Sequence, residues 1–434
     1  WTSSEMLGSL AFMKPRLGEL EGISLQSFVQ DSLDLIRFWD IVYHAPKGFD
    51  TQLTRSNFVD DDWPELRMPS THKDWSFAPF EGMIWMRKSF DLKANSLGCD
   101  FEIFLGKPEM NYSVFFNGVE ICNTVWNARL MHNYKIPKEL LRSGKNTVTI
   151  RMAALWGGGG FGSLPEDMFL TNGLVKIALA GMWKYNIGLE PQIPAIMNYQ
   201  YYPSLVYNAM IHPLEPYNVR GFLWYQGEAN DTASVHYQSL FPCLINDWRI
   251  RWQQGMLPFI FVQLPNYMSA HELPTESNWA AMREAQAMAL ALPSTAMVCT
   301  IDLGDALTIH PLRKTEVGLR LAWAALRGVY GKNVLASGPS FVGFSIQDNL
   351  ARVKFNCAAS GLRTTDSAEL TGFSVAGADG KFYWAKAHIE GDTVVLCADE
   401  VSAPVSVRYN WADNPSGKLS DSSGLPALPF RTDK

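Results

Sequence analysis

The hydrophobic pattern of this chain changes period along its length, and that change limits the folds open to it. Residues 1 to about 45 carry apolar side chains at loosely helical spacing: Leu17, Leu20, Ile23, Leu25, Phe28 and the run from Leu33 to Trp39. From about 61 to 180 short strands replace them, at 83–92, 101–105, 112–116 and 147–152, with Asn117-Gly118 as a hairpin turn. From 195 to 330 strands at 219–225, 258–264 and 296–302 alternate with helices at 203–211, 233–252, 277–292 and 313–329. That alternation implies a mostly parallel sheet covered by helices. After about 333 short strands return. The expected architecture is an α/β domain from 1–50 and 185–332, an inserted β-sandwich at 55–182, and a C-terminal β-sandwich at 333–434.

At 434 residues the chain is too long for one ordinary domain. Its net charge of −6 comes without a basic block, which argues against nucleic acid as a partner. No apolar run reaches the roughly 18 residues of a membrane span, so no membrane partner is expected. The 15 tryptophans fit sugar binding, because aromatic faces stack on pyranose rings, although large β-rich cores account for most of them. None of the six cysteines forms a CxxC pair, which removes the usual metal and redox motifs. The glycine run 157–160 lacks the strand, lysine and helix of a phosphate loop.

The segment Trp224-Tyr225-Gln226-Gly227-Glu228-Ala229-Asn230 closes an apolar strand with polar groups. Such groups need partners, and strand ends facing a crevice are where α/β sheets build sites. Asn230 and the Gly227 backbone are suited to donate to an oxyanion. Glu228 is placed to orient an imidazole or bind a sugar hydroxyl, and Trp224 and Gln226 to contact substrate. His310 stands on the loop between the third strand and the last helix, preceded by Asp302 and Asp305. It suits a general base oriented by a carboxylate. His212 has nearly the same local sequence, Ile-His-Pro-Leu, but follows a helix and lacks the upstream acids. No Gly-x-Ser-x-Gly elbow supplies a nucleophile; Ser3, Ser4 and Ser163 stand in unsuitable places.

The combination resembles the sialate O-acetylesterase family of the SGNH (GDSL-like) hydrolases. The resemblance rests on 224–230, on Ile309-His310-Pro311 with Lys314, and on Tyr207-Asn208-Ala209-Met210-Ile211, Asp247-Trp248-Arg249 and Arg283-Glu284-Ala285-Gln286. It extends to the end, with Val407-Arg408-Tyr409 and Pro429-Phe430-Arg431-Thr432-Asp433. It implies a flavodoxin-like three-layer α/β/α domain, with a galactose-binding-like sandwich as the insert. It also implies a carbohydrate esterase that removes O-acetyl groups through a serine and a histidine, with no metal or organic cofactor, in a secreted or periplasmic setting. The implied substrate is an acetylated sialic acid, or acetylated xylan or another plant glycan. Asn230 inherits the oxyanion role and His310 that of the base.

Two departures matter. The family's Gly-Gln-Ser-Asn nucleophile block is absent, so the serine is expected on a second polypeptide or a preceding segment. Without the strand belonging to that block, the sheet is expected to expose an edge. A degenerate relative that only binds glycans is the alternative. The position three residues before the histidine, often Asp in SGNH hydrolases, is Leu307. Asp302 or Asp305 then orients His310, or a backbone carbonyl does.

Overall fold

The computed structural model describes every residue except 20, 47–50, 125–130, 358, 360, 366–368 and 434. The chain divides into two units, one formed by Gly22–Asn198 and the other by Trp1–Glu21 with Tyr199–Lys434.

In the first unit, two antiparallel sheets close on one core. A six-stranded sheet runs in the order Glu65–Met68, Gly181–Asn186, Gly82–Leu92, Gly144–Ala154, Tyr112–Phe116, Val119–Thr124. A four-stranded sheet runs His132–Ile136, Phe101–Gly106, Met168–Thr171, Lys176–Ala178. Ile84, Met86, Val114 and Ile150 of the first meet Phe101, Ile103 and Leu170 of the second. The hairpin turn falls at Asn117 and Gly118, both at positive φ (48° and 95°), as a tight turn between twisted strands requires.

The helix Leu25–Tyr43 belongs to this unit, which corrects the expected boundary of 1–50 for the α/β domain. Residues 47–50 of that span lie outside the described ones. Phe38, Ile41 and Val42 pack against Met83, Met110, Ala153 and Leu155 of the sheet. Arg151, almost wholly buried, then donates to the carbonyls of Ile41, Val42 and His44 at the helix end. A cation at a helix C-terminus satisfies carbonyls that have no partner within the helix.

The second unit is built on a parallel sheet of three strands: β1 (Phe222–Trp224), β2 (Phe259–Val262) and β3 (Thr295–Val298), in that order. Its longer helices are α1 (Ser234–Trp252), α2 (Asn278–Met288) and α3 (Lys314–Gly328). Side chains of a strand alternate between faces, and β2 shows the consequence. Phe259 and Phe261 pack with Phe241, Trp248, Trp279 and Met282 of α1 and α2. Ile260 and Val262 pack with Val317 and Ala324 of α3. Among the described residues β1 pairs with β2 alone, and its Leu223 is 61% exposed. The helix expected over 203–211 shrinks to one wide turn, Tyr207–Ile211, followed by a 3-10 turn at His212–Leu214. Pro203 and Pro213 bracket it, and proline supplies no N–H to a helix interior.

Residues from Ser340 onward form two further four-stranded sheets and a two-stranded one around their own core, which includes Val353, Phe373, Leu396 and Tyr409. Arg283 of α2 ties this part to the parallel sheet. It is fully buried and donates to Leu264 O, Pro265 O, Ala412 O and Asp413 O at 2.7–2.9 Å. Burial pushes its guanidinium down to about 10. No described helix is long and apolar enough to cross a membrane.

Candidate active site at the carboxyl edge of the parallel sheet

Parallel strands send their following loops out of one edge. The segment Tyr225–Asn230 leaves that edge after β1, and the loop from Cys299 to His310 leaves it after β3. Two of the expected site segments therefore start from the same end of the sheet.

The side chains of the first segment divide between faces. Trp224 is 9% exposed and packs on Phe241 and Trp248 of α1. Tyr225, the next residue, packs with the Val262 and Val317 cluster on the α3 side. Trp224, Gln226 and Asn230 line a cavity of about 230 Å³, whose walls also include Arg16, Ser204 and Tyr237. His310 is not among its walls.

A chain of hydrogen bonds runs along this cavity. The Trp224 indole donates to the Tyr237 hydroxyl at 3.3 Å. That hydroxyl donates to Gln226 Oε1 at 3.2 Å, and Gln226 Nε2 donates to Asn230 Oδ1 at 2.8 Å. The Asn230 amide N–H groups are left without a partner among the described residues, beside the cavity. Burial pushes the Tyr237 phenol up, so it stays protonated and a donor. Gln286 holds the segment from behind: its Nε2 donates to Gln226 O at 3.0 Å and its Oε1 accepts from Leu264 N at 2.9 Å.

Gly227 sits against that support. A Cβ there would lie 2.9 Å from Gln286 Nε2 and 3.1 Å from Leu264 Cδ2, so any side chain would have to displace the amide that holds Gln226. It is buried and does not line the cavity. Its carbonyl accepts from Asn230 N at 2.9 Å, closing the turn that presents Asn230. No hydrogen bond from a described residue reaches the Glu228 carboxylate.

His310 is exposed, and its backbone N–H donates to Thr308 Oγ1 at 3.2 Å. No described side chain bonds its ring. Asp302 does not orient it: both Asp302 oxygens accept from Arg320 at 2.6 Å, and Arg320 also donates to Cys299 O. That pair fixes the start of the loop to α3. Asp305 turns back on its own loop, accepting from Leu307 N at 2.8 Å. The link between the two segments is Lys314, first residue of α3. Its ammonium lies 4.5 Å from the Tyr225 ring centre and 3.4 Å from the hydroxyl. Burial and the nearby Glu228 push the Tyr225 phenol up to about 12, so the lysine meets a neutral hydroxyl.

His212, Ser3 and Ser163 have structural partners. His212 Nδ1 is 3.1 Å from Glu215 in an exposed turn. The Ser3 hydroxyl donates to buried Asp247 at 2.7 Å, and Ser163 accepts from Lys107 N in the other unit. Ser4 is exposed on the first turn of a short helix.

Tyr237 and Ser204 are cavity residues that residue order did not mark as site residues. Tyr237 was signalled: it lies four residues before Phe241, on the buried stripe of α1, and a buried phenol needs a partner. Ser204 was not. It is 2% exposed, at φ 66°, with no hydrogen-bond partner for its hydroxyl, and no residue pattern announces a left-handed serine.

A solved carbohydrate acetylesterase from Xanthomonas citri superposes with a TM-score of 0.53 at 28% identity, covering 77% of this chain and 96% of that one. The likeness is thus to the carbohydrate esterases. Within that likeness, residues 163–327, which include Asn230 and His310, match the family model of the sialic acid-specific acetylesterases among the carbohydrate esterases. Sialate O-acetylesterase of Mus musculus is 38% identical over 154 residues, 31% of this chain and 28% of that protein. Its Homo sapiens counterpart is 34% identical over 155 residues, 31% of this chain and 29% of that protein. The chain thus matches under a third of the length of these curated relatives.

Proposed function

We propose that this chain carries the histidine and oxyanion-donor parts of a carbohydrate O-acetylesterase acting on sialic acid or related acetylated glycans. The observation that carries the reading is the Asn230 amide. Gln226 holds its oxygen, and Asn230 lines the cavity, which leaves its N–H groups as the donors to spare. Donors fixed in advance stabilise the charge of a tetrahedral intermediate without reorganising.

A serine hydroxyl attacks the acetyl carbonyl, and His310 takes its proton. Asn230 donates to the resulting oxyanion. Collapse of the intermediate breaks the acetyl–sugar bond, and the histidinium returns the proton to the departing sugar oxygen. Water then attacks the acyl-serine, losing a proton to His310, and acetate leaves as serine is restored. With Asp302 paired to Arg320 and Asp305 to its own loop, the reading is a Ser–His dyad within the larger SGNH plan.

The nucleophile in this proposal comes from outside residues 1–434. Ser3 and Ser163 serve other groups, and the partnerless Ser204 hydroxyl has no base to activate it. The open edge of β1, with Leu223 exposed, is where such a segment would pair.

The test is acetate release by the intact protein from O-acetylated sialic acid and from acetylated xylan, together with a fluorophosphonate label mapped by peptide mass. The proposal expects hydrolysis of the sialic acid ester and a label on a serine outside these residues. Binding of both glycans without acetate release would instead support a glycan-binding protein.

A further inference from the structure

We infer that Tyr237 is a positioning residue that sets which face of the Asn230 amide meets the substrate. An amide has a donor end and an acceptor end, and only its partners decide which points where. In this cavity the decision starts at Trp224. An indole N–H can only donate, so the Tyr237 oxygen accepts from it at 3.3 Å. The Tyr237 proton then goes to Gln226, whose side-chain oxygen is 3.2 Å away and whose backbone oxygen is 3.3 Å away. With Oε1 facing Tyr237, the Gln226 Nε2 faces Asn230 and donates to Oδ1 at 2.8 Å. The Asn230 Nδ2 is what remains for the cavity.

The direction is held at both ends. Gln286 anchors the Gln226 backbone at 3.0 Å, so Gln226 turns only about its own side chain. Turning it over would aim the Gln226 N–H groups at a phenol oxygen that already accepts from Trp224. It would also set the Gln226 oxygen against the Asn230 oxygen, and Asn230 would have to turn with it. The cavity would then present a carbonyl oxygen, which repels an oxyanion. Tyr237 is 4% exposed, and burial keeps its phenol protonated, so the relay holds across the neutral range. Tyr237 acts on the oxyanion donor through Gln226 in this scheme.

The inference rests on the oxyanion role proposed for Asn230, and a double-mutant cycle in the intact protein separates the two. The variants are Tyr237→Phe, Asn230→Ala and the pair, with kcat and KM measured on an acetyl ester and each melting temperature recorded. Asn230→Ala lowers kcat about 100-fold. Tyr237→Phe lowers kcat about tenfold with little change in KM, and has no further effect in the Asn230→Ala background. Equal loss in both backgrounds overturns the relay and leaves Tyr237 a packing residue. No loss in the parent overturns it too. Full activity of Asn230→Ala overturns the oxyanion reading itself. Should Tyr237→Phe unfold, Gln226→Glu serves as the second variant, since a carboxylate offers Asn230 no donor. It matches Asn230→Ala in kcat under the relay, and parental kcat refutes it.

Discussion

The Lys314 ammonium rests over the Tyr225 ring, 4.5 Å from its centre. One residue begins α3, four positions after His310; the other follows β1 and leads into Asn230. This contact sets the histidine loop against the segment that carries the amide donor. A partly exposed cation over a phenol contributes about 0.5–1 kcal/mol. Lys314→Ala is expected to destabilise the protein by about that much in urea titration and to lower kcat by loosening the histidine loop. Tyr225→Phe keeps the ring and is expected to do less of both.

Gly227 leaves room for the support behind it. Its neighbours at 2.9 and 3.1 Å are the Gln286 amide and Leu264, both in the buried support. Gly227→Ala is expected to cost about 1–3 kcal/mol, as overpacking of a filled interior does. Chemical denaturation checks the stability, and the ester assay checks a parallel fall in kcat as Gln226 is displaced.

Asp302 belongs to the scaffold. Its carboxylate is held in a two-point pair by Arg320, whose side chain is mostly buried while Asp302 is partly exposed. Asp302→Asn is expected to lower stability by about 1–2 kcal/mol after allowance for that exposure. The pH–rate profile of ester hydrolysis is expected to keep its midpoint. A displaced midpoint would mean that Asp302 acts on His310 after all.

Asp433 predicts an acid dependence. Burial pushes its carboxyl up, but hydrogen bonds and charge from Arg408 outweigh that, and the net shift is downward. A group whose folded pKa is depressed contributes stability above its unfolded pKa of about 3.9 and loses it as pH falls through the folded value. Asp433→Asn is therefore expected to be less stable than the parent at pH 7, by about 1 kcal/mol. The two melting temperatures should converge below about pH 4.

The sequence showed most where one local rule acts alone. Alternation and the Asn117-Gly118 turn located the first β unit, and the strand–helix rhythm after 195 located β1 to β3. The helix Leu25–Tyr43 was legible as a helix but not as a partner of the β-sheets. An apolar stripe does not say which surface it meets, and Leu25 and Ile36 remain 80% and 67% exposed. In the site, 224–230 stood out because it gathers polar groups at a strand end. That Asp302 would pair with Arg320, eighteen residues on, depends on how α3 turns over the sheet, and residue order does not contain that. The Tyr237 relay likewise needs α1 laid across β1.

The most direct measurement is the rate of acetate release from an O-acetylated sialic acid by the intact protein carrying His310→Ala, against the parent at matched folding. The account predicts a loss of about a thousandfold, the effect of removing the general base. Acetate release at the parental rate would contradict it.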